Sequence, residues 1–172
     1  RTLLPCLKHF AAYGISEGGH NAGSAHIGLR ELNTEILPPF KKAIKQGAKL
    51  VMTAYNEIDG IPCTMNSYLL GTILRDRWQF DGMVISDLHS ISGLQSHGVA
   101  KNLRQAAELS ISAGVDIDLS ATDFYNNLQN VDTSVINSAV RRVLYHKFES
   151  GLFEMPYLNN QSINTREENK NM

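Results

Sequence analysis

The feature that most constrains the fold is an alternation of short apolar runs with helical patterns, repeated four times along the chain. Each apolar run has the length of a buried strand, and in the stretch after it apolar residues recur every three or four positions. Strands that alternate with helices in this way form parallel sheets joined by crossover helices. The predicted strands are residues 2–10, 49–56, 83–85 and 114–119.

Four βα units are half of a TIM-like (β/α)8 barrel, which needs about 250 residues when complete. The chain has 172 residues, too few for the whole barrel. We therefore predict an α/β fold in which four βα units form half of a barrel. A small doubly wound domain is the alternative, but the glycine-rich stretch 18–23 matches neither the dinucleotide fingerprint nor the P-loop. We interpret that stretch as part of a surface lid loop.

Prolines and helix-capping residues predict where the helices begin and end. Pro38 and Pro39 should break or kink the helical pattern of residues 30–46. Asn66 and Asp132 are predicted N-caps, and Gly151 is a predicted C-cap. The last helix has an apolar stripe and two outward-facing arginines; the stripe is Ile136, Ala139, Val140 and Val143, and the arginines are Arg141 and Arg142.

The repeated pattern ends at Tyr157, which predicts two regions. Residues 1–157 form the partial barrel, and residues 158–172, which have almost no apolar content, form a polar tail or linker. Half a barrel has two sheet edges with unpaired backbone groups. We expect either a longer polypeptide or self-association to cover them.

Composition and charge exclude several kinds of partner. A net charge of −1 gives no electrostatic footprint for nucleic acid or for an anionic membrane surface. No apolar run approaches the eighteen or so residues of a membrane span, and no signal-peptide pattern follows Arg1. Cys6 and Cys63 have neither metal-site spacing nor the density of a disulfide scaffold, so we interpret both as small buried hydrophobes.

Polar side chains occur at or just after three of the predicted strands: Lys8 and His9, Tyr55, and Asp87. Carboxyl ends of parallel strands share one mouth, so these side chains should line it together. Lysine, histidine and tyrosine can hydrogen-bond sugar hydroxyls, and an ionised aspartate can attack or stabilise a cationic carbon. Each residue also has a structural interpretation. Asp87 could cap a helix, and Lys8 could pack its aliphatic stem on the protein with the amine in water. His9 could be a buried histidine with its hydrogen bonds made, and Tyr55 a packed aromatic.

Several segments together resemble glycoside hydrolase family 3. They are residues 8–14, 30–32, 37–40, 52–56, 74–75 with Trp78, 80–82, 84–87 and 151–153. The resemblance implies the second half of the family's N-terminal barrel domain. It implies a retaining β-glucosidase or β-xylosidase type of activity that requires no cofactor or metal, and a periplasmic or secreted location. It also implies that Asp87 is the nucleophile and that Lys8, His9 and Tyr55 hold the sugar.

The resemblance also implies missing parts. Nothing in the chain corresponds to the family's first four strands or to the second domain, which supplies the general acid/base. Glu17, Glu31, Glu57 and Asp59 could fill that role, but each lies in a loop or at a helix start, and none is assigned. Leu88 stands where many members have an aromatic residue. Asp116 and Asp118 are predicted to be structural groups on the fourth strand.

Three other functions remain open from the residues alone. A class I aldolase-type lyase would use Lys8 as a Schiff-base amine. A metal hydrolase could use His9, His20, His26 and Asp87, although their spacing is not a standard ligand pattern. An inactive carbohydrate-binding remnant would hold a sugar without breaking a bond.

Overall fold

Two small sheets organise the computed structural model, which describes residues 3–157. The strands are β1 (Cys6–Phe10), β2 (Ser24–Ala25), β3 (Leu50–Thr53), β4 (Glu57–Ile58), β5 (Ile61–Pro62) and β6 (Met83–Ile85). The main sheet is parallel in the order β1-β3-β6, with Cys6 opposite Leu50 and Leu50 opposite Met83. In the smaller sheet, β4 pairs with β2 in parallel and with β5 in an antiparallel arrangement. An α/β fold with a parallel sheet is therefore confirmed.

The predicted fourth strand, residues 114–119, is wrong as a strand. In the described part of the chain this segment contributes one isolated parallel bridge, Ile85 with Ile117. The reason lies in the Asp116 side chain, because its carboxylate accepts the backbone N–H of Val84 at 2.8 Å. A side-chain oxygen thus takes the place that a strand carbonyl would have in a regular ladder.

Helices connect the strands in the expected alternation. The helical elements are α1 (Leu29–Glu31), a π-helical stretch (Leu32–Ile36), α2 (Leu37–Lys45), a second π-helical stretch (Tyr68–Arg77), α3 (Leu103–Ala113) and α4 (Thr133–Glu149). Short 3₁₀ turns occur at Tyr13–Ile15, Glu17–Gly19, Cys63–Met65 and Ser92–Gln95.

Of the break or kink predicted at the double proline, the break is wrong. Helical structure continues from Leu29 through Lys45, and Pro38 and Pro39 lie in the first turn of α2. The preceding turn, Leu32–Ile36, widens into a π-helix. Proline is tolerated where the helix does not need its N–H, and the wider turn moves the irregularity one turn ahead of the prolines.

The predicted caps are confirmed, whereas part of the predicted surface of α4 is not. Asn66 Oδ1 accepts the Leu69 N–H at 3.1 Å, and Asp132 accepts the Ser134 N–H at 2.7 Å. Gly151 has a φ of +68°. Arg142, expected to face solvent, instead donates from Nε to Asp116 at 2.8 Å, and Val140 of the predicted apolar stripe is exposed.

The core lies between the main sheet and its helices. Fully buried side chains from the strands meet fully buried leucines of the Tyr68–Arg77 stretch; they are Phe10, Val51, Val84, Leu69, Leu70 and Leu74. The turn before β6 requires glycine, because a Cβ on Gly82 would lie 2.4 Å from the Lys49 carbonyl oxygen. That close approach accompanies the Met83 N–H to Lys49 O hydrogen bond of 2.8 Å, which sets β6 beside β3.

Two further sequence predictions concern the end of the chain and membrane-spanning helices. The polar tail predicted at 158–172 lies outside them. Among residues 3–157, none of the helices has the length and apolar character that crossing a membrane requires.

Candidate functional site

Asp87 lies two residues beyond β6, at the carboxyl end of the parallel sheet. A tight turn follows it, in which Ser90 N–H donates to the Asp87 carbonyl at 3.1 Å and His89 has a φ of +57°. The Asp87 side chain is 12% exposed, so its carboxylate is largely enclosed yet still reachable. It does not cap a helix, because the next helical turn, Ser92–Gln95, has Ile91 as its N-cap residue without a side-chain hydrogen bond.

Three donors from three segments surround the Asp87 carboxylate. Oδ1 accepts the Leu88 backbone N–H at 2.7 Å and faces the Tyr55 hydroxyl at 3.1 Å. Oδ2 lies 3.1 Å from Nε2 of His9. Hydrogen bonds from three directions fix the plane of the carboxylate.

Tyr55 follows the end of β3 and its hydroxyl is shared between two oxygens. Besides Asp87, the phenol faces the Leu88 carbonyl oxygen at 2.7 Å, and one hydrogen serves both acceptors. Burial first, and then the negative charge and hydrogen bond of Asp87, raise the pKa of Tyr55 to about 12. The phenol is therefore a neutral donor throughout the physiological pH range.

His9 lies inside β1, where the register with β3 shifts between Leu7 and Phe10. Such an irregularity re-aims side chains relative to regular alternation. The pKa of His9 is lowered, mainly by burial and further by the Lys8 charge, while Asp87 acts in the opposite direction. His9 is thus neutral at neutral pH, and since a carboxylate can only accept, Nε2 carries the hydrogen.

Lys8 is exposed and stands beside this cluster rather than in it. With His9, Tyr13, Pro39 and other residues it lines a groove of about 420 Å³ between the end of β1 and helix α2. The structure therefore brings His9 and Tyr55 into direct contact with Asp87 and leaves Lys8 in the adjoining groove.

The surroundings of the cluster include residues that the sequence did not single out. The ring of Tyr13 lies 4.5 Å from that of His9, and Thr64 links Thr53 at 3.0 Å to Ser90 at 3.1 Å through buried hydroxyls. Small hydroxyl residues at irregular spacing carry no periodic signal, so the sequence could not have found the Thr53–Thr64–Ser90 chain.

Carboxylates other than Asp87 are engaged elsewhere or exposed. Glu57 accepts the Ser24 hydroxyl at 2.6 Å, and Glu17 and Asp59 lie at 3.4 and 3.8 Å from His26 near the surface. Glu31 is exposed. Within residues 3–157, none of these forms a close pair with Asp87, and no group of three or more His, Cys, Asp or Glu side chains could hold a metal ion.

Asp116 and Asp118 are structural, as predicted, although no strand carries them. Asp116 is fully buried at its side chain and accepts from Arg75 at 2.9 Å and from Arg142 at 2.7 Å. Asp118 accepts the backbone N–H groups of Ser120, Asp123 and Phe124 and so closes the loop after residue 117.

Known proteins resemble this chain over most of its length. It is 34% identical over 163 residues to a periplasmic β-glucosidase of Salmonella typhimurium, covering 91% of this chain and 21% of the relative. A β-xylosidase of Formosa agariphila is 36% identical, covering 88% of this chain and 23% of the relative. A crystal structure of a Listeria innocua β-glucosidase in complex with glucose superposes with a TM-score of 0.86 at 40% identity, covering 96% of this chain and 24% of that one.

The chain thus spans between a fifth and a quarter of the length of these relatives. Residues 1–145 match the family described as the glycosyl hydrolase family 3 N-terminal domain. The parallel sheet and the sequence identity agree with that match, and the chain therefore belongs to glycoside hydrolase family 3.

Proposed function

We propose that the complete polypeptide containing this chain hydrolyses terminal non-reducing β-D-glucosyl or β-D-xylosyl residues with retention, through a glycosyl-enzyme intermediate on Asp87. The observation that carries the proposal is the Asp87 carboxylate, which is oriented by three donors at a strand end and is still 12% exposed. A carboxylate that is both fixed and reachable is what attack on a sugar carbon requires.

The two oxygens of Asp87 are not equivalent, which suggests the one that attacks. Oδ1 has two donors, whereas Oδ2 has His9 alone and keeps a lone pair free. In the first step, Oδ2 bonds to the anomeric carbon while the glycosidic C–O bond breaks and the leaving oxygen takes a proton from a general acid. In the second step, water loses a proton to the same group and displaces Asp87, which restores the carboxylate.

The neighbouring side chains are proposed to hold the sugar next to the scissile bond. Lys8, in its groove, can donate to a ring hydroxyl. Neutral His9, which lines the same groove, and neutral Tyr55 keep the carboxylate in place. None of these steps needs a cofactor or metal. Relatives named β-glucosidase and β-xylosidase support the substrate class, and leave glucoside and xyloside as two options.

The general acid/base is proposed to lie outside this chain. A retaining enzyme needs its second carboxyl group about 5 to 5.5 Å from the first, and the carboxylates in the described residues are engaged elsewhere or exposed. We propose that residues 1–157 are half of a barrel domain, in which the segment 114–119, with its single parallel bridge from Ile117 to Ile85, takes the place of the fourth strand. We further propose that residues 158–172 are a polar tail or linker, and that the other barrel half and a second domain complete the site. A periplasmic or secreted location is proposed from the relative named periplasmic.

Covalent labelling tests the proposal directly. The complete polypeptide is treated with 2-fluoro glucosyl and 2-fluoro xylosyl inactivators, digested, and sequenced by mass spectrometry. We expect the label on Asp87 in wild type and no label in Asp87→Asn. Asp81→Asn is the matched control, since Asp81 is a surface carboxylate six positions earlier and should not alter labelling. A label on another residue would falsify the role of Asp87, and sugar binding without label or turnover would indicate a carbohydrate-binding remnant.

A further inference from the structure

Tyr55 lies outside every strand, so another contact must hold its backbone. Strand β3 ends at Thr53, and the Ala54 N–H still reaches across to the Phe10 carbonyl at 2.9 Å. The Tyr55 carbonyl oxygen is 3.0 Å from Nε2 of His97. Because a carbonyl can only accept, Nε2 of His97 carries the hydrogen and donates it.

The His97 ring is largely enclosed, between the Tyr55 backbone and the small sheet. Its side chain is 11% exposed, and Nδ1 lies 3.8 Å from Oε2 of Glu57. Glu57 in turn accepts the Ser24 hydroxyl at 2.6 Å across the β2–β4 pair. The imidazole therefore spans from the small sheet to the Tyr55 backbone.

The backbone of His97 is equally constrained. Its N–H donates to the Gly93 carbonyl at 3.1 Å, directly after the turn Ser92–Gln95, whose Leu94 is fully buried. That turn is tied down by the Ser92 N–H donating to Asp123 at 2.8 Å. A rigid support of this kind is what a positioning residue needs, because side chains held by packed neighbours keep their geometry.

We infer that His97 is a positioning residue for the proposed glycosidase reaction: its Nε2–H holds the Tyr55 carbonyl so that the Tyr55 hydroxyl stays on Asp87. The inference rests on the proposed function and deepens it, since it assigns a role at the same site. His97 acts indirectly. It donates a single hydrogen bond to the backbone of Tyr55, and the Tyr55 hydroxyl lies 3.1 Å from the Asp87 carboxylate.

Two substitutions of His97 distinguish the loss of its Nε2–H hydrogen-bond donor from the loss of the imidazole ring. In His97→Gln the amide nitrogen can reach the place of Nε2, whereas in His97→Asn the side chain is too short to do so. In the complete polypeptide we expect His97→Asn to lower kcat/KM about 10- to 100-fold, in the range that a displacement of about 1 Å costs. We expect His97→Gln to stay within about threefold of wild type.

A double-mutant cycle with Tyr55→Phe gives a readout that a merely structural role would not produce. If His97 acts through the Tyr55 hydroxyl, His97→Asn should change kcat/KM by less than about threefold when the hydroxyl is already absent. A full 10- to 100-fold loss in the Tyr55→Phe background, or an equal loss in His97→Gln and His97→Asn, would overturn the inference.

Crystal structures of the variants decide the matter independently of turnover. We expect the Tyr55 Oη to Asp87 Oδ1 distance to stay near that of wild type in His97→Gln and to exceed hydrogen-bond range in His97→Asn. Tyr55 unmoved in His97→Asn contradicts the inference even if the enzyme is a glycosidase. A moved Tyr55 in His97→Asn, beside an inactive wild type, would show that His97 positions Tyr55 while the proposed function itself fails. Should His97→Asn fail to fold, His97→Gln alone decides: Tyr55 in place without a bond from the new amide to its carbonyl would overturn the inference.

Discussion

Replacing Asp116 by asparagine should loosen the strand that presents Asp87. Asp116 Oδ2 accepts from Arg75 and from the Val84 N–H, while Oδ1 accepts from Arg142, at distances of 2.7 to 2.9 Å. Its side chain is fully buried, and the two arginine side chains are 19% and 29% exposed. Asparagine keeps the shape but removes the charge and turns an N–H₂ group toward another donor.

The size of the effect follows from leaving two enclosed guanidinium groups without their counter-charge. Breaking a buried pair in this way costs about 3 to 5 kcal/mol. Asparagine retains part of the hydrogen bonding, so we expect about 3 kcal/mol. The free energy of the opening that exposes the Val84 amide should fall by that amount, which corresponds to roughly a hundredfold faster hydrogen exchange.

Hydrogen exchange measured by mass spectrometry on peptides that cover β6 is the appropriate assay, since it reports local opening without two-state unfolding of a large protein. Asp81→Asn is the matched control. Asp81 pairs with Lys49 at 2.6 Å, but its side chain is 64% exposed, so its loss should cost no more than about 1 kcal/mol. If exchange at β6 changes equally little in both variants, the buried network does not stabilise the strand and the reasoning is refuted.

Three further predictions concern the site and the chain. Asp87→Asn should abolish turnover with sugar affinity nearly intact, whereas Lys8→Ala should weaken both, as calorimetry beside an activity assay can measure; equal losses of affinity would contradict this. By NMR titration His9 should have a pKa below 6.5, raised in Lys8→Met and lowered in Asp87→Asn. Because the folded-state value is the lower one, the His9 contribution to stability is complete above pH 6.5 and is lost as pH falls through the folded-state pKa. The chain alone should self-associate in light scattering and barely cleave nitrophenyl β-glucoside or β-xyloside; a stable, active monomer would exclude the half-barrel proposal.

Periodicity predicted the elements whose stability comes from their own apolar pattern. Strands β1, β3 and β6 fall inside the predicted segments, because their short apolar runs are visible in the sequence, and helix α4 lies between its predicted caps Asp132 and Gly151. The fourth strand failed for a reason that periodicity cannot reveal. Whether the Asp116 side chain points away from the strand or accepts the backbone N–H of Val84 depends on Arg75 and Arg142, which are distant in sequence.

The candidate site was predictable in its residues but not in its contacts. The sequence predicted His9, Tyr55 and Asp87 at strand ends, and the structure brings His9 and Tyr55 each to about 3 Å from the Asp87 carboxylate. The backbone N–H of Leu88 could not be predicted, since every non-proline residue carries an identical donor. His97 gave no signal either, because its partner is a carbonyl and its position follows a 3₁₀ turn that lacks a periodic pattern.

In the proposed half barrel, covering the free sheet edge and completing the sugar site are one structural event. Strand β1 is the edge of the main sheet in the described residues, and Lys8 and His9 lie on it beside the open groove. Since parallel strands direct their carboxyl ends to one side, a further strand paired with β1 would bring its own terminal side chains into that groove. The same pairing would satisfy the unpaired backbone groups of the edge. Stability and catalysis should therefore be gained together when the rest of the polypeptide is present.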